Sequence, residues 1–202
     1  MRITVIGATG GTGLHVVRQA LVAGHEVTAV VRNPARLPAG PHVVIADVTR
    51  PDELRPAVKD SDVVITALGP RRGSPEPIVT PALSALLDTS PPRVILVSNS
   101  GMHGAGDPWP LRYLIKPILQ RVLRRTYADA MRAEQTLQDS GTPWTIVRPP
   151  RLTDGPLTGT YRSATSGNPR WAASISRADL AHCLLRAATD PATAGQTISI
   201  GY

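Results

Sequence analysis

The stretch GATGGTG, residues 7–13, places Gly7, Gly10 and Gly13 three apart, directly after an apolar run and directly before a segment of helical spacing. Each of the three has its own mechanical use. The first permits a tight turn off a strand, the second lets a diphosphate approach the backbone without a Cβ in the way, and the third lets the helix pack closely on the sheet. Gly11 extends the bare backbone, and Thr9 and Thr12 add hydroxyl donors. A helix that starts here points unpaired amides and the positive end of its dipole at the loop, which is the chemistry of holding phosphates. Strand before, loop, and helix after together define a dinucleotide-binding turn.

Further residues extend the same site. An NAD site places an acid about twenty positions on, at the end of the second strand, to accept from the ribose 2′-hydroxyl. Arg32 occupies that place, and Arg36 lies one helical turn further. A guanidinium cannot accept that bond but pairs well with a 2′-phosphate, so the sequence points to NADPH as the cofactor. Asp47 and Val48 follow the third strand, where a carboxylate meets an adenine amino group and a valine covers the ring. Leu68 and Gly69 end the fourth strand, followed by Arg71 and Arg72, either of which reaches a phosphate. Pro149 opens the segment after the sixth strand and is placed on the cofactor side.

The elements that must position these residues are legible as apolar, β-branched runs: RITVIG, EVTAVVR, HVVIAD, DVVITALG, RVILVSNS and WTIVRP. Continuous apolar strands alternating with helices imply a mostly parallel sheet covered on both faces. The expected fold is an α/β, doubly wound Rossmann-type sheet forming one domain over residues 1–202. Its substrate side falls at about 101–126 and 149–175. Leu14, Val17, Ala20 and Leu21 are expected on the buried face of the first helix, with Gly24 as its C-cap. Helices are expected at 51–59, 78–89 and 128–140. Another follows the capping box Ser176-x-x-Asp179 and runs to about 188, and TISIGY closes the sheet. Residues 101–110 read as a loop. The stripe from Leu111 through Leu123 reads as a kinked amphipathic helix, packed on the core or lying over the substrate as a lid; a dimer face or a membrane-surface element has the same pattern.

Composition narrows the function classes. The chain has 202 residues and a net charge of +7, with 22 basic and 15 acidic groups. Lys59 and Lys116 are the lysines, so arginine carries the excess. Aromatics are 3 % and no basic run is interleaved with stacking residues, which argues against nucleic-acid binding. No apolar run approaches the roughly eighteen residues of a membrane span, and no secretory signal pattern opens the chain. A cytoplasmic protein without membrane or nucleic-acid partners is expected, as a monomer or weak homodimer. With Cys183 as the single cysteine and histidines lacking ligand spacing, no metal is expected.

GATGGTG, VTAVVRNPARLP, HVVIADV, LGPRR, LQDSGTPWTIVRPPRLTDGPLTGTYR and SRADLAHCLLRAATD together resemble the atypical short-chain dehydrogenase/reductase group, specifically its small NADPH-dependent flavin reductases, also known as biliverdin-IXβ reductases. The resemblance runs nearly end to end. It implies that Arg32 and Arg36 hold the 2′-phosphate, that Asp47 and Val48 hold adenine, and that Leu68 and Gly69 contact the cofactor. It also places the active-site serine of that family within SNSG, at Asn99, with Ser98 and Ser100 adjacent. Arg151 stands where family members can carry a histidine.

Ordinary short-chain dehydrogenases use a Tyr-x-x-x-Lys pair to exchange a proton with the substrate oxygen. Here Tyr127 is followed by Met131. A flavin or a conjugated tetrapyrrole accepts hydride into an extended π-system and takes its proton from water, so placement of the nicotinamide is the main requirement. The expectation is a reductase of a flavin, bilin or related small molecule. Ser98, Asn99 and Ser100 would bond the nicotinamide or acceptor, and Arg148 and Arg151 would meet an acceptor carboxylate or phosphate, unless Arg148 is buried in a structural pair. Two other classes fit the same residues: an NADPH-binding sensor without turnover, and a ketoreductase or isomerase that uses Tyr127 or a serine as acid.

Overall fold

The computed structural model describes residues 1–69, 77–102, 121 and 123–202. Its main sheet is built from β1 (Arg2–Ile6), β2 (Glu26–Val31), β3 (His42–Ile45), β4 (Val63–Thr66), β5 (Val94–Val97), β6 (Trp144–Arg148), β8 (Arg162–Ala164) and β10 (Gln196–Gly201). The strand order is β3-β2-β1-β4-β5-β6-β10-β8. Every neighbouring pair is parallel except β8, which runs antiparallel to β10 at the edge. The chain leaves β1 toward β2 on one side and returns to β4 on the other. That reversal opens a crevice beyond the carboxyl ends of β1 and β4, where such sheets bind ligands. This is the doubly wound, mostly parallel Rossmann-type sheet that the sequence implied.

The two faces carry separate cores. Ile3, Val5, Val63, Ile65 and Ile95 face α1 (Gly11–Val22) and α5 (Arg177–Thr189). Ile6, Val64, Val94, Leu96 and Ile146 face α2 (Pro51–Val58), α3 (Val79–Leu87) and α4 (Arg124–Gln138). The alternation along β1 is the period-two pattern of a strand covered on both sides. Leu54, Leu86, Leu137, Leu180 and Leu184 are fully buried, and each contributes roughly 1.5–3 kcal/mol by leaving water.

Several boundaries and faces differ from expectation. In α1 the buried positions are Thr12, Gly13, Val16, Val17 and Ala20, with Leu14 and Leu21 only partly buried. The helix is rotated because it packs on α5 as well as on the sheet, where the Gln19 amide reaches the Ala178 carbonyl at 2.9 Å. Gly24 does close the helix in the left-handed region, at φ 76°. Helix α4 begins at Arg124, before the expected 128. Short strands β7 (Arg151–Thr153) and β9 (Ser174–Ser176) pair in parallel as a small separate sheet, with Leu152 opposite Ile175. Three-residue strands carry too little periodicity to be read locally. Most of the amphipathic stretch from Leu111 to Leu123 lies outside the described residues. No described helix is long and apolar enough to cross a membrane.

Candidate cofactor and substrate cleft

A cleft of about 510 Å³ opens at the carboxyl edge of the sheet. Gly10, Gly11 and Thr12 line it from the loop after β1; Ala67, Leu68 and Gly69 from the end of β4; Ser98 and Asn99 from the end of β5; and Pro149, Pro150 and Leu152 from the segment after β6. Adjacent parallel strands thus deliver their following loops to one opening.

The glycine loop has the geometry its spacing implied. Gly7 sits at φ 82°, a conformation open to glycine at little cost, and its carbonyl accepts from the Gly10 amide at 2.9 Å. A Cβ on Gly13 would overlap the Gly7 carbonyl oxygen, so the third glycine allows helix and turn to touch. Helix α1 has no side-chain cap and no acid in its first turn. Its free amides therefore remain available to an anion. Thr12 is buried against the loop and Thr9 is half-buried. These donors, bare backbone and an uncapped helix N-terminus fit a dinucleotide diphosphate.

Arg32 and Arg36 follow β2, exposed and without an ion pair to any described residue. Asp47 follows β3 and is exposed, whereas Val48 is buried. The Thr49 amide and hydroxyl donate to Asp47 Oδ1 at 2.9 and 2.7 Å. With help from the fields of Arg50 and Arg32, those bonds hold the Asp47 carboxyl below its usual range. It is an ionised acceptor at neutral pH, held in a tight local turn. Arg71 and Arg72 lie outside the described residues.

The SNSG segment divides its roles. The Ser98 hydroxyl is buried without a hydrogen-bond partner, and Ser98 lines the cleft. Asn99 also lines it; its Oδ1 accepts from the Gly101 amide at 2.6 Å, which leaves the Asn99 side-chain amine as a donor. Ser100 turns inward: its amide donates to the Pro149 carbonyl at 2.9 Å, and its carbonyl accepts from Asn168 at 3.3 Å. Arg151 is exposed in β7, and its neighbour Leu152 lines the cleft. Arg148 is committed elsewhere. Its Nε and Nη2 donate to the two oxygens of Glu134 at 2.9 and 2.5 Å, with Glu134 only 6 % exposed. The structural pairing, and not an acceptor contact, describes Arg148.

Three cleft residues escape sequence reasoning. Asp129 on α4 accepts from the amides of Ile78, Val79 and Thr80 at 3.0–3.1 Å. It caps α3, whose own N-cap residue Ile78 makes no side-chain bond; the separation of about fifty residues leaves no local signal. Arg125 lines the cleft from the first turn of α4, and Arg177 from the first turn of α5. For Arg177 a signal existed: a cation in the first turn of a capped helix opposes the dipole.

Fold and cleft define a dinucleotide-binding protein of the doubly wound class. Residues 7–191 match the family described as NAD(P)H-binding, and the chain belongs to that family. Among solved structures it is similar to a protein of Streptococcus pneumoniae described as a NADH-flavin reductase. That pair shows 24 % identity and a TM-score of 0.82, covering 100 % of this chain and 99 % of the other. ChuY of Escherichia coli O157:H7, described as an anaerobillin reductase, shows 24 % identity and a TM-score of 0.79, covering 99 % and 96 %. A short-chain dehydrogenase/reductase of Veillonella parvula in complex with NADP shows 22 % identity and a TM-score of 0.81, covering 100 % and 94 %. At these identities the likeness establishes the fold.

Proposed function

We propose that the protein is an NADPH-dependent reductase whose acceptor is a flavin or another conjugated small molecule such as a bilin. The observation that carries this reading is the lining of the cleft. Among the described residues, the polar lining beyond the glycine loop comes from Ser98, Asn99, Arg125, Thr126, Asp129 and Arg177, and includes neither a tyrosine nor a lysine. Tyr127 is 7 % exposed, and burial raises its hydroxyl pKa, which weakens it as a proton carrier. Met131, where the lysine of such a pair would stand, is 55 % exposed.

Bound NADPH supplies hydride at its nicotinamide. Ser98 and Asn99, just past the end of β5, would hydrogen-bond and orient the nicotinamide, while Leu68, Leu152, Pro149 and Pro150 would exclude water around it. An acceptor that spreads the incoming charge over a π-system needs no further acid from the protein. The free guanidiniums of Arg32 and Arg36 favour the 2′-phosphate, and the Veillonella structure holds NADP in the same fold. The flavin and bilin reductases among the similar structures support the acceptor class.

Loss of nicotinamide absorbance on mixing NADPH with FMN, riboflavin or a bilin tests the reading. Turnover with at least one of them is expected. Tight NADPH binding without turnover of any would leave a cofactor-binding sensor instead, and stereospecific reduction of a ketone would favour a tailoring enzyme.

A further inference from the structure

Gly11 presents a question that the turn does not answer. Gly7 needs its positive φ, and Gly13 would strike backbone if it carried a Cβ. Gly11 has neither constraint. The atoms that a Cβ at Gly11 would meet are Cδ and Nε of Arg177, both at 2.7 Å. The bare backbone of the loop is therefore the bed on which an arginine from α5, far away in sequence, lies.

Arg177 is poorly placed for its own helix. Helix α5 is already capped, with the Ser176 hydroxyl accepting from the Asp179 amide at 2.9 Å and Asp179 in the first turn. A cation there opposes the positive end of the dipole. One anion compensates: Arg177 Nη1 donates to Asp154 Oδ1 at 2.5 Å, but Asp154 is 89 % exposed, and a pair that open to water holds weakly. The loop side of the guanidinium faces the uncapped start of α1, another positive end. Asp129, the acid that lines the cleft, has both oxygens taken by backbone amides. The uncapped start of α1 and an arginine from α5 thus meet at one point of the cleft, and a diphosphate is the group that satisfies both.

We propose that Arg177 is a ligand of the cofactor diphosphate, presented beside the glycine loop on which its side chain lies. The inference rests on the reading of GATGGTG as the diphosphate seat. A guanidinium adds paired, charge-assisted hydrogen bonds to phosphate oxygens that backbone amides reach from below. The weak Asp154 pair keeps the side chain laid across the loop and gives way to the stronger anion.

Calorimetric titration of the wild type and Arg177→Gln with NADP, ADP-ribose and 2′-AMP tests it, alongside thermal unfolding without ligand. NADP and ADP-ribose contain the diphosphate; 2′-AMP carries only the adenine and 2′-phosphate. Arg177→Gln is expected to weaken NADP and ADP-ribose about tenfold, as loss of a charge-assisted bond does, and to leave 2′-AMP and the unfolding temperature unchanged. Arg177→Lys should recover part of the loss. Unchanged affinity for ADP-ribose, or an equal loss for 2′-AMP, would overturn the proposal while the seat stands. A wild type that binds 2′-AMP but not ADP-ribose would overturn the diphosphate seat itself, and the proposal with it.

Discussion

Replacing Asp179 by asparagine tests how the 158–159 segment and Tyr202 are held to the start of α5. The Asp179 carboxylate is fully buried. Its Oδ1 accepts from the amides of Thr158 and Gly159 at 2.9 and 2.7 Å, and its Oδ2 from the Thr158 hydroxyl at 2.8 Å and from the Tyr202 hydroxyl. One side chain thus ties the 158–159 segment and the C-terminal residue to the start of α5. Asparagine keeps one oxygen for the two amides and turns an amine toward the hydroxyls of Thr158, Ser176 and Tyr202, which rotate to accept. What goes is charge assistance, about 1 kcal/mol for each of these bonds. Cheaper burial of a neutral group offsets part of it, leaving a net loss of about 2–3 kcal/mol. For a chain of this size that lowers the unfolding temperature by roughly 4–12 °C.

The pH dependence carries a sign. Burial pushes the Asp179 carboxyl up, but the bonds from Tyr202, Thr158 and Gly159 outweigh it, and the net shift is downward. A carboxylate with a depressed folded-state pKa contributes its full stability above the unfolded value of about 3.9. It loses that contribution as pH falls through the folded-state value. The gap between wild type and Asp179→Asn, measured by urea unfolding, should therefore be constant from pH 7 to 5 and close below about pH 4. An asparagine variant as stable as wild type at pH 7, or a gap that stays constant into acid, would refute the reasoning.

Two other predictions concern arginines with opposite fates. Arg32→Asp should weaken NADPH binding by roughly 1.5–3 kcal/mol and NADH binding far less; equal losses in fluorescence titrations with the two cofactors would remove Arg32 from the 2′-phosphate site. Glu134→Gln should cost about 3 kcal/mol in denaturant unfolding, because it leaves the largely buried Arg148 guanidinium with one acceptor and no countercharge. The double replacement Glu134→Leu with Arg148→Met should recover most of that, and a double variant no more stable than Glu134→Gln would count against the pair as described.

The glycine loop, the strand series, the cap at Ser176 and Asp179 and the parallel sheet were legible because each is written within a few neighbouring residues. Turn chemistry, apolar periodicity and capping all act over one or two turns of chain. Ser98, Asn99 and Ser100 were legible together as polar residues at a strand end. That Ser98 lines the cleft while Ser100 is drawn inward was not, since the placement of Ser100 depends on its backbone bonds to Pro149 and Asn168.

The sequence by itself determined the class of fold, the glycine loop with its strand before and helix after, and the arginines that follow β2. Tertiary structure alone decided which charges remain available in the cleft. Arg148, at the end of β6, could have met an acceptor or a structural partner until Glu134, on α4, took it. Folding set Asp129 against the start of α3 and Arg177 across Gly11. Local spacing fixes which groups a segment offers, but an ion pair or a cap is settled by whichever partner the fold brings within about 3 Å, and that distance is written nowhere in the neighbouring residues.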